Sequence, residues 1–202
     1  MLTTNQTPID KAPEKVPENL WNEYTLFGRI PISKWYFDER SVPKATEWND
    51  IDENLKEGVN IFKKSTYGTT TQTVIDAISR YKDHFKGKNG AVIGSQNPWA
   101  EIFSLRAGAA SILTMEYQEI KIKSEKAISW IHPFEVGKNW TRFDRFFDFI
   151  ISFSSLEHSG LGRYGDPLDP WGDLREMAKV RCLLKDNGVI ILGFPVGEGN
   201  FC

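Results

Sequence analysis

Most of the chain after residue 67 alternates between short, wholly apolar runs and longer segments in which apolar residues recur at helical spacing. An apolar run without polar alternation is typical of a strand buried on both faces, as in a parallel sheet. We therefore predict five strands, at residues 91–93, 111–115, 127–131, 148–153 and 189–194. Because strands and helices alternate, right-handed crossovers should join the strands into a mostly parallel sheet of an α/β fold.

The segments between the apolar runs predict three helices, at residues 69–85, 98–107 and 173–184. Asn97 stands where it can cap the second helix, and Asp173 where it can cap the third. Cys182 falls on the apolar face predicted for the third helix. Glycine and polar residues at 87–90 and 185–188 predict turns before the first and fifth strands.

The N-terminal part of the chain lacks this regular pattern. Residues 1–20 hold three prolines among polar residues, which predicts a disordered arm. Residues 21–66 predict an irregular extension that packs against the rest of the protein, with a short helix at 50–58. The regular domain then covers residues 67–202.

Composition excludes several classes of protein. A net charge of −2 without a basic block argues against nucleic-acid binding. The two cysteines, Cys182 and Cys202, support neither a disulfide framework nor a zinc site. The sequence has neither a signal-peptide core nor an apolar run of about 20 residues, the length that crosses a bilayer. We therefore expect a cytoplasmic protein without a membrane segment.

The richest polar stretch, residues 154–173, directly follows the fourth predicted strand. Ligands of open α/β sheets bind beyond the carboxyl ends of the strands, so this stretch is the first candidate site. His158 is a candidate general base. Adjacent residues of an extended segment point in opposite directions, so Glu157 and His158 need not cooperate. The alternative is a polar surface loop without a ligand.

Two familiar kinds of site do not fit this stretch. The zinc signature H-E-x-x-H is missing around His158, so we expect no metal site. No G-x-S-x-G motif surrounds Ser154, which argues against a hydrolase. Arg163 and Asp166 either recognise a substrate or brace the loop.

A second candidate site follows the first two strands. Gly94 ends the first strand, where a glycine lets a ligand approach the backbone at a helix N-terminus. The G-x-G-x-x-G fingerprint is absent, which argues against a nicotinamide oxidoreductase. Glu116 follows Gly94 by 22 residues and can accept hydrogen bonds from both ribose hydroxyls of an adenosine. Alternatively, Gly94 only makes a turn and Glu116 only ends a strand in solvent.

Four segments resemble the family known as domain of unknown function 268: residues 92–101, 107–109, 114–117 and, above all, 154–168. The resemblance covers about residues 60–197. It implies a Rossmann-like three-layer sandwich related to the class I S-adenosylmethionine-dependent methyltransferases. Residues 156–158, with 183–188 before the fifth strand, are similar to the "LEH … LKpGG" pattern of many small-molecule methyltransferases. Carried over by position, the resemblance implies the cofactor-binding residues Gly94, Ser95, Gln96, Glu116 and Ser154.

The resemblance leads to an expected function, a methyltransferase that acts on a small molecule or saccharide with S-adenosylmethionine as cofactor. His158 or Asp166 would remove the substrate proton, and Arg163 and Tyr164 would contact the substrate. The alternative is a non-catalytic binding or interaction protein of the same fold. Two departures favour this alternative: the single glycine of the cofactor loop, and a chain that stops where class I methyltransferases continue with two more strands. An open edge at the fifth strand would favour self-association or a protein partner.

Overall fold

The computed structural model describes residues 13–32, 46–57, 67–68 and 70–195. Their strands are β1 (Thr46–Trp48), β2 (Asn89–Ile93), β3 (Ser111–Met115), β4 (Ile120–Ile122), β5 (Ile128–Ile131), β6 (Phe147–Phe153) and β7 (Leu184–Gly193). Their α-helices are α1 (Trp21–Tyr24), α2 (Ile51–Glu57), α3 (Thr70–Arg80), α4 (Trp99–Arg106), α5 (Pro133–Lys138), α6 (Trp140–Phe143) and α7 (Gly172–Leu183). Short 3-10 helices form at Glu18–Leu20, Lys82–His84 and Leu156–His158.

Five strands form the central sheet, in the order β5-β3-β2-β6-β7, and every neighbouring pair is parallel. The chain runs outward from β2 to β5 and then returns to place β6 on the other side of β2. This order reverses between β2 and β6, which is the position where Rossmann-like folds bind their ligands. The expected α/β fold with a Rossmann-like sheet is therefore confirmed.

Apolar side chains pack on both faces of the sheet, as continuous apolar strands require. On one face, helices α2, α3 and α4 contribute residues such as Ile51, Val74 and Ile102 to a first core. On the other face, α5, α6 and α7 contribute Val136, Phe143, Val180 and Leu183 to a second core. The result is the three-layer arrangement that the sequence predicts.

The start of β2 shows why a glycine lies inside a strand. A Cβ on Gly90 would come within 2.0 Å of the Phe149 ring, which is fully buried and packs on Phe85 at 4.0 Å between ring centroids. We predicted a turn at residues 87–90, but β2 already begins at Asn89. The missing side chain at Gly90 makes room for the aromatic ring, so here the glycine serves packing rather than chain reversal.

A second, two-stranded sheet was not predicted. Strand β1 pairs in parallel with β4, and Trp48 and Ile120 from these strands are buried in the first core. The helix predicted at 50–58 is α2, which follows β1 directly. Part of the predicted irregular extension therefore packs as regular structure on the sheet, whereas residues 33–45 and 58–66 lie outside the described residues.

Three local predictions around the helix ends are wrong. Helix α4 begins one residue later than expected, and Asn97 offers its carbonyl to Trp99 N rather than a side-chain cap. Helix α7 begins at Gly172, so Asp173 lies inside its first turn and accepts from Leu174 N. Cys182 is exposed, because α7 turns other residues towards the core.

The predicted turn at residues 185–188 is also wrong. Strand β7 starts immediately after α7, and Leu184 already pairs with Phe147 of β6. The pairing then shifts, and Phe149 is opposite Val189. The polar residues between them bulge out of the ladder within the strand. Within the described part of the chain, β7 lies at one edge of the sheet and β5 at the other.

The N-terminal segment is anchored on the loop that follows β6. Residues 18–20 form a 3-10 helix within the predicted disordered arm, of which residues 1–12 lie outside the described ranges. Helix α1 follows and presents Tyr24, whose hydroxyl donates to the carbonyl oxygen of Gly160. Burial raises the pKa of Tyr24 to about 12, so the phenol keeps the proton that this bond needs.

No helix among the described residues is long and apolar enough to span a bilayer.

Candidate functional site

A cleft opens at the carboxyl edge of the sheet, above the last residues of β2, β3 and β6. It therefore lies where the strand order reverses. Its lining includes most of the predicted site residues, namely Gly94, Ser95, Gln96, Glu116, Ser154, His158, Tyr164 and Asp166. The fold thus brings together two stretches, residues 94–96 and 154–166, that are far apart in the sequence.

Gly94 lies where the loops after β2 and β6 touch. Its φ of +70° is in the left-handed region, and an added Cβ would lie 1.8 Å from Ser155 Oγ. Its N–H donates to the carbonyl of Met115 at the end of β3, 3.0 Å away. A glycine is therefore required here by the crossing of the two loops and by the backbone conformation. Gln96 lies further along the loop, and its carbonyl accepts from Trp48 Nε1 at 3.3 Å.

Beneath this loop lies a buried acid that the sequence analysis did not single out. Glu101, in the first turn of α4, is fully buried. Its Oε1 accepts from Thr114 Oγ1 at 2.9 Å, and its Oε2 lies 3.1 Å from Ser95 Oγ. Burial raises the pKa of Glu101 to about 7, and the nearby carboxylate of Glu116 also raises it.

The hydrogen bonds around Glu101 are consistent with a neutral acid. Ser95 Oγ is also 2.8 Å from the carbonyl oxygen of Asn97, which can only accept. A hydroxyl has one proton, so when Ser95 donates it to Asn97, the contact with Glu101 needs a proton on the carboxyl. The protonated acid then donates to Ser95 and accepts from Thr114. This network joins the loop after β2 to strand β3.

Glu116 lies at the end of β3 and is 7% exposed. Its Oε1 accepts from the backbone N–H of Gln118 at 3.2 Å, and its own carbonyl accepts from Trp130 Nε1 at 2.9 Å. The carboxylate is thus fixed in the cleft by the backbone of the same turn. The following residue, Tyr117, also lines the cleft, and burial followed by the charges of Glu176, Asp166 and Glu116 raises its pKa. Tyr117 therefore stays a neutral phenol.

One wall of the cleft is aromatic. Tyr67 contacts Phe153 and Trp99 edge-on, with ring centroids 4.7 and 6.2 Å apart, and Trp99 meets Phe153 at 5.5 Å. The three rings come from the segment before α3, from the start of α4 and from the end of β6. Such a wall excludes water and offers flat apolar area to a ligand.

The loop after β6 starts in a strained conformation. Ser154 has a φ of +49°, which is unusual for a residue other than glycine, and its N–H donates to Gly193 O at 2.9 Å. The chain then forms the 3-10 helix that carries His158 into the cleft. We expected an extended segment with Glu157 and His158 pointing apart. In the 3-10 helix, Glu157 Oε1 instead lies 3.7 Å from His158 Nε2.

Asp166 organises the backbone of this loop. Its Oδ2 accepts from the N–H groups of Gly160 and Gly162 at 2.8 and 2.9 Å, and its Oδ1 accepts from Tyr164 N at 3.2 Å. The carboxylate is 3% exposed. Because three backbone N–H groups donate to its carboxylate, Asp166 has a structural role in the loop. Its predicted catalytic role stays a prediction.

The two predicted substrate-binding residues differ in position. Tyr164 lines the cleft, and its ring meets the ring of His158 edge-on at 5.9 Å. The guanidinium of Arg163 lies over the Tyr164 ring, 5.0 Å from its centroid. Arg163 is not among the described residues that line the cleft. It reaches the site through Tyr164, which it supports by a cation–π contact.

Sequence reasoning missed two charged residues of the cleft, Glu176 and Lys179. They form an ion pair with each other on one side of α7. In the sequence they read as the solvated face of a helix, since three residues apart is the normal spacing of a surface pair. The signal that could have found them is the topology, because α7 packs against the 3-10 helix that carries His158.

The cleft combines carboxylate, backbone and aromatic groups. A fixed carboxylate at the end of β3, a glycine turn at the end of β2 and an aromatic wall offer a ribose, a polar tail and a base their usual contacts. Among the described residues, no three His, Cys, Asp or Glu side chains come together in a way that could hold a metal ion.

Comparison with known proteins identifies the family. The family model described as "Caenorhabditis protein of unknown function, DUF268" matches residues 87–201. No match to a curated protein was found. The matched residues contain the central sheet from the second residue before β2, together with both loops that border the cleft. Because the match covers more than half of the 202 residues, the chain belongs to the DUF268 family.

Proposed function

We propose that the chain is a methyltransferase-like protein that binds S-adenosylmethionine in the cleft and acts on a small polar molecule or saccharide. One observation carries the proposal. The turn of Gly94 and the carboxylate of Glu116, which follow neighbouring strands, line one cleft at the reversal of strand order. This is the arrangement with which Rossmann-like folds hold an adenosine group.

In this proposal the cleft divides into two halves. The cofactor half consists of the loop after β2, Glu116 and the aromatic wall of Tyr67, Trp99 and Phe153. Glu116 accepts hydrogen bonds from the ribose hydroxyls, and the loop around Ser95 faces the methionine part. The cofactor, when bound, supplies an electrophilic methyl group.

The acceptor half consists of Tyr117, His158, Tyr164, Glu176 and Lys179. Its side chains offer both donors and acceptors around two phenol rings, which suits a polyhydroxylated acceptor. His158 takes the proton of the attacking hydroxyl. Methyl transfer is mainly a matter of holding the acceptor in line with the methyl group, and the loop that Asp166 holds together supplies that positioning.

Isothermal titration with S-adenosylhomocysteine tests the cofactor half. We expect micromolar binding to the wild-type chain and a loss of at least tenfold in affinity, about 1.4 kcal/mol, for Glu116→Ala. Glu119→Ala is the matched control, because Glu119 lies in the same turn but is exposed and outside the cleft. Its affinity should equal that of the wild type.

Absence of heat from a folded wild-type chain would rule out the cofactor. Equal loss in both variants would show that the turn, and not the carboxylate, matters. Tight binding without turnover on any hydroxylated acceptor would favour the second candidate, a non-catalytic binding protein. That candidate is supported by the hydrogen bonds of Asp166, which occupy one of the two residues predicted to be catalytic.

A further inference from the structure

Glu157 has a buried carboxylate whose environment is unusual. Both carboxylate oxygens are buried, and neither has a hydrogen-bond partner among the described residues. Burying a carboxylate without a partner costs several kcal/mol, and such groups are rare in native structures. The cost therefore needs a compensating interaction.

His158 is placed to provide that interaction. Its Nε2 lies 3.7 Å from Glu157 Oε1, which is too long for a hydrogen bond but within the range of an ion pair. The contact is ionic only when the imidazole carries a proton on both nitrogens. The two side chains are 21% and 25% exposed, so solvent screens the contact less than it screens a surface pair.

Two other carboxylates that line the cleft with His158 are already compensated. The carboxylate of Asp166 accepts three backbone N–H groups, and Glu176 is paired with Lys179. Tyr164, whose ring meets the imidazole, is a neutral donor at ordinary pH. Of these three carboxylates, Glu157 therefore gains most from a positive charge on His158.

We propose that Glu157 is a positioning residue for His158, which orients the imidazole and stabilises the positive charge that His158 acquires when it accepts a proton. This role rests on the proposed methyl transfer and deepens it. The attacking hydroxyl oxygen of the acceptor forms a bond to the methyl carbon and gives its proton to His158. The bond between the methyl carbon and sulfur breaks, and its electron pair stays on sulfur. Glu157 itself exchanges no proton.

The division of roles follows that of other histidine bases held by a buried carboxylate, in which the carboxylate acts through the imidazole and does not touch the substrate. Here the 3-10 turn separates adjacent side chains by about 120°, rather than by the roughly 180° of a strand, so a contact between sequence neighbours becomes possible. The same two residues in an extended chain would face opposite ways.

An NMR titration of the histidine side chains tests the pair without cofactor or substrate. The chain has three histidines, His84, His132 and His158, so the two others serve as internal references. We expect Glu157→Gln to lower the titration midpoint of His158 by about one pH unit, since a carboxylate within about 4–6 Å favours the charged imidazole. The midpoints of His84 and His132 should stay constant. Glu119→Gln, an exposed change of the same kind, should leave all three midpoints unchanged.

A wild-type measurement keeps the proposal testable if the variant does not fold. The side-chain carboxyl carbon of Glu157 should show an inflection in its chemical shift at the pH at which His158 titrates. No inflection, or an unchanged His158 midpoint in folded Glu157→Gln, would overturn the pairing. If the pairing is found and S-adenosylhomocysteine does not bind the wild-type chain, the methyl transfer fails and the positioning role in it is overturned.

Discussion

The two loops that border the cleft are held in different ways. The loop after β2 is short and attached to the sheet, through Gly94 N to Met115 O and through the network of Glu101 with Ser95 and Thr114. The loop after β6 runs from residue 154 to 171 and is attached mainly to itself, with Asp166 at its centre. Hydrogen bonds to the neighbouring strands fix the shape of the first loop, whereas hydrogen bonds within the loop fix the shape of the second. The comparison teaches that the two halves of one site can differ in stability.

The difference has a physical cause in the length of the two loops. Strands β2 and β6 each have a neighbour on both sides, but only residues 94–98 separate β2 from α4, whereas residues 154–171 separate β6 from α7. The long loop makes its contacts across its own turns, where Asp169 N donates to Gly160 O and Gly172 N donates to Asp169 O. We therefore expect hydrogen exchange in the long loop to occur by local opening, without unfolding of the sheet.

The largest expected effect concerns the sheet-attached loop and its buried acid. The pKa of Glu101 is raised from 4.5 in the unfolded chain to about 7 in the folded protein. The folded state therefore binds the proton more tightly, and its contribution to stability is complete below pH 4.5. This contribution declines as the pH rises to about 7 and is then lost. At about 1.4 kcal/mol per pH unit, the window corresponds to about 3 kcal/mol.

Glu101→Gln should remove this dependence, because an amide can donate to Ser95 and accept from Thr114 as the neutral acid does. Urea unfolding measures the free energy of unfolding of the variant and of the wild type, and the difference between them is compared at pH 5 and pH 8. Between pH 5 and pH 8, we expect the free energy of unfolding of the variant to rise by about 3 kcal/mol relative to that of the wild type. A difference that does not change with pH would mean that Glu101 is ionised in the folded protein at both values.

The next effect concerns the self-supported loop. A Cβ on Gly160 would lie 2.0 Å from the carbonyl oxygen of Asp169, at a φ of +94°. Gly160→Ala should therefore destabilise the protein by about 2 kcal/mol in urea unfolding, since both the backbone and its neighbour must move. Hydrogen exchange should increase in residues 154–171 first.

Gly137→Ala is the matched control, because a Cβ on Gly137 meets nothing within 4 Å and the residue lies in helix α5. This change should stabilise the protein by about 0.5 kcal/mol, as expected for glycine replaced in a helix. If both variants behave alike, the packing of the long loop does not depend on Gly160.

The smallest effect concerns the N-terminal segment that supports the long loop. Tyr24→Phe removes the hydroxyl that donates to Gly160 O and leaves the ring in place. We expect a loss of about 1 kcal/mol, the usual net value of one hydrogen bond, in urea unfolding. Tyr81→Phe is a suitable control, because Tyr81 is 43% exposed and lies outside the cleft. An equal loss in both variants would assign the effect to the tyrosine hydroxyl in general.

The sequence predicts the sheet well because its signal is local. Apolar runs such as residues 111–115 coincide with a strand, and helical spacing around Val74 and Ile78 coincides with a helix. The residues at the ends of parallel strands follow from topology, so Gly94 and Glu116 could be placed in one site in advance. In these places, local pattern and tertiary structure agree.

The rest depends on contacts between distant residues. Nothing near Glu101 in the sequence indicates that Thr114 is its partner, and the pairing of β1 with β4 joins short strands without a distinctive pattern. The polar run at 185–188 has turn composition, but it forms a bulge within β7, between the residues that pair with Phe147 and Phe149 of β6. The conformation of Glu157 and His158 was predicted wrongly because a short 3-10 turn has no periodic signal.

The contact between Tyr24 and Gly160 also has a consequence for the order of events during synthesis. The two residues are 136 positions apart, and ribosomes add about 5–20 residues per second, so on the order of 10 s separate their appearance. During that interval the loop that contains Gly160 has not yet been made, so the nascent segment cannot dock on it. Trp21 and Phe27 of this segment are 47% and 78% exposed even in the folded protein. A segment that is made early is thus among the last to find its place.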